Sequence, residues 1–240
     1  MDNGNCVCYI LALAPDILQA ARRSLGWSQK RAARQLGVTQ AYLSMLERGR
    51  RLPPRELASR LVEVYSLSPA WLPLPAGEWH PAEVTNQEIA EQLARLGYPG
   101  LGVGRRGGPK NPAEVLLTAL SAAELDRRLL QGLPWLFLRY PEMETAWLLD
   151  RAKRLDLQNR LGFIVSLARE LREARGEPVP QNLAELEAAL DRSRLARFGT
   201  LCESSMSEDE GRWLFAHRSE QARRWSLLTD LEAEELPYAG

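Results

Sequence analysis

The stretch GVTQAYLSMLERGRR, residues 37–51, combines side chains that can contact the bases and the phosphates of DNA. Gln40 carries an amide that can form two hydrogen bonds with adenine in the major groove, and Ser44 follows one helical turn later. A basic exit comes next: Arg48, Arg50 and Arg51. These residues could form an ordinary surface helix or a helix whose outer face reads base edges.

Short helices must position these residues, and the apolar periodicity of residues 15–72 predicts five of them. Pro15 suits a first helical position, Ser28 and Thr39 can cap helices, and glycines end the first three. The predicted segments are PDILQAARRSL (15–25), QKRAARQL (29–36), QAYLSMLER (40–48), RELASRLVEVYSL (55–67) and the short SPAWL (68–72).

The turn around Gly37 sets the geometry of the second and third helices. A turn of only about three residues makes them cross steeply, and glycine supplies the left-handed backbone that such a turn often needs. The apolar side chains then face the core: Val38, Leu43 and Leu46. The side chains on the outer face are small or carry an amide: Gln40, Ala41 and Ser44.

Three segments resemble the Cro/CI-type (XRE) helix-turn-helix family of phage repressors, Cro proteins and many bacterial regulators and antitoxins. They are LGWSQ (25–29), LGVTQAYLSMLERG (36–49) and SPAWL (68–72). In that family the third helix enters the major groove, and the start of the second helix holds the DNA backbone. The resemblance therefore implies a DNA-binding domain over residues 15–72.

The resemblance also implies roles for individual residues. Gln29 would contact phosphate and support Gln40, which would make the direct base contact. Arg22 and Glu47 correspond to a pair that ties the first helix to the end of the third. The implied reading face is Thr39, Gln40, Ala41, Tyr42 and Ser44. The implied contacts to the DNA backbone are Arg48, Arg50 and Arg51.

Simpler interpretations stand beside these. An isolated glutamine on a helix surface is usually only solvated, Arg50 and Arg51 could lie in a solvated loop, and Glu47 could be an ordinary surface carboxylate. The chain also departs from the family at Ala32, where a large aliphatic residue is usual. Trp27 is expected to fill the space that this small residue leaves.

The charge distribution separates the two halves of the chain, although the formal net charge is zero. Residues 15–72 contain ten Lys or Arg and four Asp or Glu, whereas 21 basic and 26 acidic residues lie from Pro73 onward. A basic segment beside an acidic remainder predicts a polyanionic partner for the basic segment only.

Cysteine and histidine usage predicts a reducing compartment and no metal or cofactor. Three cysteines cannot form a disulfide framework, and two histidines provide no zinc spacing. The segment CVCYILALA (6–14) is too short to span a bilayer and lacks the positive start of a signal peptide. It is interpreted as an N-terminal arm or as translation from an early start codon, and the protein is expected to be cytoplasmic, with no membrane partner.

Residues 73–112 are rich in proline and glycine and contain one helical pattern, NQEIAEQLARLG, so they are predicted to form a connector. Inside it, GVGRRG (102–107) has the spacing of a dinucleotide-binding fingerprint. That fingerprint requires a strand before it and a helix starting within its glycines. The flanking LARLGYPGL and GPKNP provide neither, so the match is attributed to chance.

Residues 113–240 again predict helices and no sheet. Capping-box patterns occur at 121–124 (SAAE) and 207–210 (SEDE), and prolines 134 and 141 are expected to interrupt an apolar stretch. The longest predicted helix, LQNRLGFIVSLARELREAR, begins after Asp156. Large aromatic side chains are interpreted as core anchors, or alternatively as a groove for a partner: Trp135, Trp147, Phe163, Trp213 and Trp225.

The sequence thus predicts an all-α protein with an N-terminal five-helix domain of the Cro/CI type. Its segments are an arm (1–14), the DNA-binding domain (15–72), a connector (73–112) with one short helix and a helical C-terminal domain (113–240) for dimerisation, effector binding or partner binding. The predicted function is a transcriptional regulator, a repressor, that binds double-stranded operator DNA as a homodimer through helix 39–48. The alternative is an antitoxin or adaptor whose residues 113–240 bind a partner enzyme. No nucleophile–base pairing is evident, so no enzyme activity is expected.

Overall fold

The computed structural model describes residues 14–102 and 108–238. The predicted N-terminal arm, apart from Ala14, lies outside these residues, and so does most of the glycine-rich segment 102–107. The described residues divide into two compact units: 14–79 with 108–111, and 80–102 with 112–238. No helix within the described residues is long and apolar enough to cross a membrane.

Helices dominate both units, which confirms the all-α prediction. The first unit contains α1 (Pro15–Ser24), α2 (Gln29–Leu36), α3 (Gln40–Glu47), α4 (Arg55–Val64) and a 3₁₀ turn (Pro69–Trp71). The second contains α5 (Asn86–Arg95), α6 (Pro112–Ser121), α7 (Arg127–Arg139), α8 (Thr145–Arg154), α9 (Gln158–Ala174), α10 (Gln181–Asp191), α11 (Glu208–His217), α12 (Glu220–Arg224) and a 3₁₀ turn (Ala233–Glu235). Two parallel two-residue strands also lie there: β1 (Gly199–Thr200) and β2 (Leu227–Leu228).

The predicted caps and glycine stops define the helices of the first unit. Ser28 Oγ and Thr39 Oγ1 each accept a backbone N–H at 3.2 Å, at the starts of α2 and α3. Gly37 has φ of 67°, as the tight turn requires. The helices α1, α3 and α4 end one to three residues earlier than predicted. α4 ends at Val64 because Ser66 adopts a left-handed backbone with φ of 52°.

The core of the first unit confirms the predicted inward face of α3, since Leu43 and Leu46 are buried. Ala32 is completely buried, and Trp27 packs against the same core as expected. The Trp27 ring meets the ring of Tyr65 edge-on, with centroids 6.2 Å apart. These contacts fix the α2–α3 pair on α1 and α4.

The second unit is built around α9, which packs against α6, α7, α8, α10 and α12. The predicted apolar stripe of this helix is buried: Leu161, Ile164, Val165, Ala168 and Leu171. Gly162 allows the Trp225 ring to approach, since a Cβ at residue 162 would lie 2.2 Å from that ring. The helix predicted inside the connector is α5, which contacts α6 and α7. The predicted domain boundaries stay predictions.

Two local predictions in the second half are wrong. Ser121 does not cap a new helix but is the last residue of α6, and its hydroxyl donates to Leu117 O at 2.7 Å. Because α6 continues through this residue, the next helix starts only after Asp126. Pro134 does not interrupt the apolar stretch, because it lies within α7 and is buried there with its neighbours. Apolar burial outweighs the one backbone hydrogen bond that the proline removes.

The aromatic anchors differ in their burial. Trp147, Phe163 and Trp225 are buried, which confirms the core interpretation for them. Trp135 is half-buried and meets Tyr98 edge-on, with ring centroids 5.4 Å apart. The core interpretation is wrong for Trp213, whose side of α11 faces solvent, leaving it 54% exposed.

Candidate nucleic-acid interface

The outer face of α3 is formed by its first turn. Thr39, Gln40 and Ala41 are exposed, whereas Tyr42 and Ser44 are half-buried. Tyr42 packs partly against the core, so less of it is available to DNA than the sequence suggested. The surface that could enter a major groove therefore consists of small or flexible polar side chains.

Gln40 has the freedom that base recognition requires. Its amide is exposed and makes no hydrogen bond within the part of the chain that the structure describes. The Thr39 side-chain oxygen, in contrast, already accepts the Tyr42 N–H and so fixes the start of α3. The cap positions the helix, and Gln40 is left to pair with an external donor–acceptor group.

The arginines that follow α3 are also available to an external anion. Arg48, Arg50 and Arg51 are exposed, and within residues 14–102 and 108–238 none of them forms an ion pair. Gly49, between the first two, has φ of 67° and lies close to Pro15 of α1. The backbone therefore turns sharply here and presents three cations just beyond the end of α3.

A buried ion pair holds α3 from behind. Arg22 Nε donates to Glu47 Oε1 at 2.6 Å, and Arg22 Nη2 donates to Glu47 Oε2 at 3.0 Å. Arg22 Nη1 donates to the Trp27 carbonyl at 2.8 Å. The same guanidinium therefore also holds the loop between α1 and α2. The predicted tie between the first helix and the end of the third is thus present as a bidentate pair.

Gln29 joins this pair instead of reaching toward Gln40. Its Nε2 donates to Glu47 Oε2 at 2.9 Å, so the start of α2 is linked to the end of α3. The predicted phosphate contact of Gln29 stays a prediction, but its described hydrogen bond places it in the support of the helix pair. Arg22, Gln29 and Glu47 together are called the support triad below.

The support triad shifts the ionisation of its charged members. Burial raises the pKa of Glu47, but the hydrogen bonds from Arg22 and Gln29 outweigh this and leave the pKa below its ordinary value. The hydrogen bond from Glu47 raises the pKa of Arg22 against the opposing effect of burial. Both groups therefore stay charged at neutral pH.

A further support for the turn was not evident from the sequence. Arg60 of α4 donates from Nη1 to the Leu36 carbonyl at 3.1 Å and so caps the end of α2. A Cβ on Gly37 would lie 2.9 Å from the same nitrogen. Arg60 and Leu36 lie 24 residues apart in the sequence, so no local pattern signals this hydrogen bond.

Comparison with known families gives a result for this region only. Residues 18–72 match the helix-turn-helix family model HTH_3. This segment, less than a quarter of the chain, is therefore similar to helix-turn-helix domains of the XRE type. The C-terminal half matches no family model. Searches of curated proteins and of solved structures found no match.

Proposed function

We propose that this protein is a sequence-specific transcriptional repressor that acts in the cytoplasm and inserts α3 into the major groove of operator DNA. The observation that carries the proposal is the exposed, unengaged Gln40 on a helix whose opposite side is fixed by the support triad. A rigidly held helix lets a single amide discriminate between base pairs, because little motion is available to accommodate a mismatch.

The remaining residues divide by role. Thr39, Ala41 and Ser44 complete the reading face, with Tyr42 at its edge. Arg48, Arg50 and Arg51 hold the DNA backbone, and this contributes affinity and salt dependence more than sequence information. Gln29 acts through Glu47 and adds a phosphate contact from the start of α2.

Two copies of the domain are needed for a specific site. One helix-turn-helix module buries limited surface on DNA, so such proteins commonly bind two half-sites about one helical turn apart. We therefore propose a homodimer with an operator of matching symmetry. The second unit would supply the contact between copies.

Selection of bound sequences from a random DNA library tests the proposal. We expect the full chain to enrich a two-fold symmetric site. Gln40→Ala should weaken binding to that site by about 1–3 kcal/mol and leave random DNA unaffected, whereas Arg51→Ala should weaken both and flatten the salt dependence. Gln87→Ala, the same change at an exposed residue of α5, is the matched control and should change neither affinity.

Equal losses on both DNAs for Gln40→Ala would remove this residue from the reading role. Enrichment of no sequence at all would contradict the regulator proposal.

The antitoxin or adaptor alternative rests on the acidic character of the chain after residue 72. In that case the acidic half would grip a basic partner enzyme, and DNA binding would regulate the operon itself. Co-purification of the chain with the product of an adjacent gene would favour it. A chain that purifies alone in its DNA-binding form would favour the simple regulator.

A further inference from the structure

Three large apolar side chains stay exposed on or beside α11. Phe198 is 55% exposed, Trp213 is 54% exposed and Phe215 is 52% exposed. The rings of Phe198 and Phe215 meet edge-on, with centroids 5.5 Å apart. α11 itself buries only Leu214. An exposed aromatic pair such as Phe198 and Phe215 is typical of a surface that another molecule covers.

A buried cation lies under this surface. Arg218, directly after α11, is 8% exposed, and its guanidinium carbon lies 4.0 Å from the Phe215 ring centroid and 5.0 Å from that of Phe198. Its Nε donates to the Phe215 carbonyl at 3.1 Å. Nη1 has no hydrogen-bond partner, and no acid pairs with the guanidinium within residues 14–102 and 108–238.

An unpaired buried guanidinium is costly, because burial removes water without supplying a counter-charge. The same burial lowers the pKa of Arg218, and the nearby charge of Arg223 lowers it further. The Phe215 and Phe198 rings give the guanidinium cation–π contacts but no counter-charge, and their exposed sides favour apolar contact. This surface is therefore complementary to a carboxylate carried by a segment with large apolar side chains.

α11 has that chemistry at its other end. Glu208, Asp209 and Glu210 form its exposed first turn, and Trp213 and Phe215 follow. A ten-residue helix is about 15 Å long, so these acids cannot turn back to Arg218 of the same chain. In an antiparallel pair of such helices, however, the acidic end of each meets the basic end of the other.

We propose that α11 pairs with α11 of a second copy about a two-fold axis, so that Glu208 of each copy reaches the Arg218 region of the other. The axis would pass α11 at the level of residue 213, midway between Glu208 and Arg218. In this register Phe215 of each copy lies opposite Gly211 of the other, on the helix face that also carries Glu208. Because Gly211 has no side chain, it leaves room for the Phe215 ring to pack.

This interface rests on the dimer of the proposed function and names the surface that forms it. Sedimentation velocity of the full chain over a concentration series tests it. We expect a dimer whose dissociation constant rises at least about tenfold in Glu208→Lys, because lysine would face a buried arginine. Glu185→Lys, the same reversal at an exposed residue of α10, is the matched control and should leave the constant unchanged.

A double-mutant cycle isolates the pair. Glu208→Gln and Arg218→Gln should each weaken the dimer, and the double variant should be no weaker than either single variant, since they remove one interaction. Glu208 lies in an exposed helical turn, so its variants keep the test valid even if Arg218→Gln fails to fold.

The outcomes separate the two proposals. A wild-type dimer that Glu208→Lys leaves intact overturns the α11 interface and not the dimeric regulator. A wild-type chain that stays monomeric on its selected DNA overturns both. A monomeric chain that binds a different protein through α11, with loss in Glu208→Lys, also overturns pairing with a second copy.

Discussion

Each of the two units contains a buried glutamate that receives several hydrogen bonds. Glu47 in the first unit accepts from Arg22 and Gln29, and Glu187 in the second is 6% exposed, as Glu47 is. The donors to Glu187 are Ser166 Oγ at 2.7 Å, Arg169 Nε at 2.9 Å and Arg224 Nη1 at 2.7 Å. The two glutamates differ in what surrounds them.

Arg22 is itself buried, and Glu47 is its one acidic partner among the described residues. The arginines around Glu187 have other acids within reach: Arg169 also pairs with Glu173, and Arg224 with Asp191. The polar support behind α3 in the first unit is therefore concentrated on Glu47, to which both Arg22 and Gln29 donate. The second unit distributes it among partly exposed groups.

The largest expected effect comes from breaking the first pair. Glu47→Ala leaves Arg22 charged and buried with no acid, and removal of one partner of a buried pair costs about 3–5 kcal/mol. Hydrogen exchange of the full chain checks this. We expect α1 and α3 to lose protection while α9 keeps it, together with loss of specific DNA binding.

The same pair gives the first unit a pH dependence. The pKa of Glu47 is lower in the folded protein than in the unfolded chain. Its stabilisation is therefore present above the unfolded value of about 4.3 and is lost as the pH falls through the folded value. In Glu47→Gln, the stability of α1 and α3 should therefore depend less on pH in the acidic range than it does in the wild-type protein. An unchanged pH dependence would contradict the assigned role of the pair.

Glu187→Ala should have a smaller effect, about 1–3 kcal/mol, because Arg169 and Arg224 keep Glu173 and Asp191 as partners while Ser166 loses its acceptor. The expected result is a modest loss of protection in α9 and α10, with DNA affinity unchanged. A loss as large as that of Glu47→Ala would show that the second network is not distributed.

The smallest effect is expected from Tyr65→Phe. The Tyr65 hydroxyl is buried without a hydrogen-bond partner in the described residues, and burial raises its pKa to about 12. Removing an unsatisfied polar atom while keeping the ring should change the free energy of unfolding by less than about 1 kcal/mol, toward stabilisation. Chemical denaturation measures this, and Tyr65→Leu, which also loses the ring contact with Trp27, is the destabilised comparison.

Local signals made the first unit predictable. The caps Ser28 and Thr39, the stop at Gly37 and the inward face of α3 all follow from residues within one or two turns. The pair of Arg22 with Glu47 came from resemblance to a family, since its members lie 25 residues apart. The hydrogen bond of Gln29 to Glu47 has no local signal, since 18 residues separate the two, and the resemblance implies phosphate and Gln40 as the partners of Gln29 instead.

The second unit was less predictable, because contacts between residues far apart in sequence decide more of its structure. Ser121 fits a capping pattern locally, and Pro134 resembles a break, but packing of α6 and α7 decides both. Apolar periodicity identified α9. The residues around Trp213, in contrast, do not indicate whether its side chain is buried or exposed.

The sequence by itself determined the helices of the first unit, its helix-turn-helix pattern and the residue types on the exposed face of α3, because these depend on short-range backbone preferences and on residue types. Only the tertiary structure decided that Gln29 joins the support triad, that Arg60 caps α2 and that Arg218 is buried beside exposed aromatic rings. The first two features are hydrogen bonds between different helices, and the third is a matter of burial. Both depend on how the whole unit packs rather than on residues that are neighbours in the sequence.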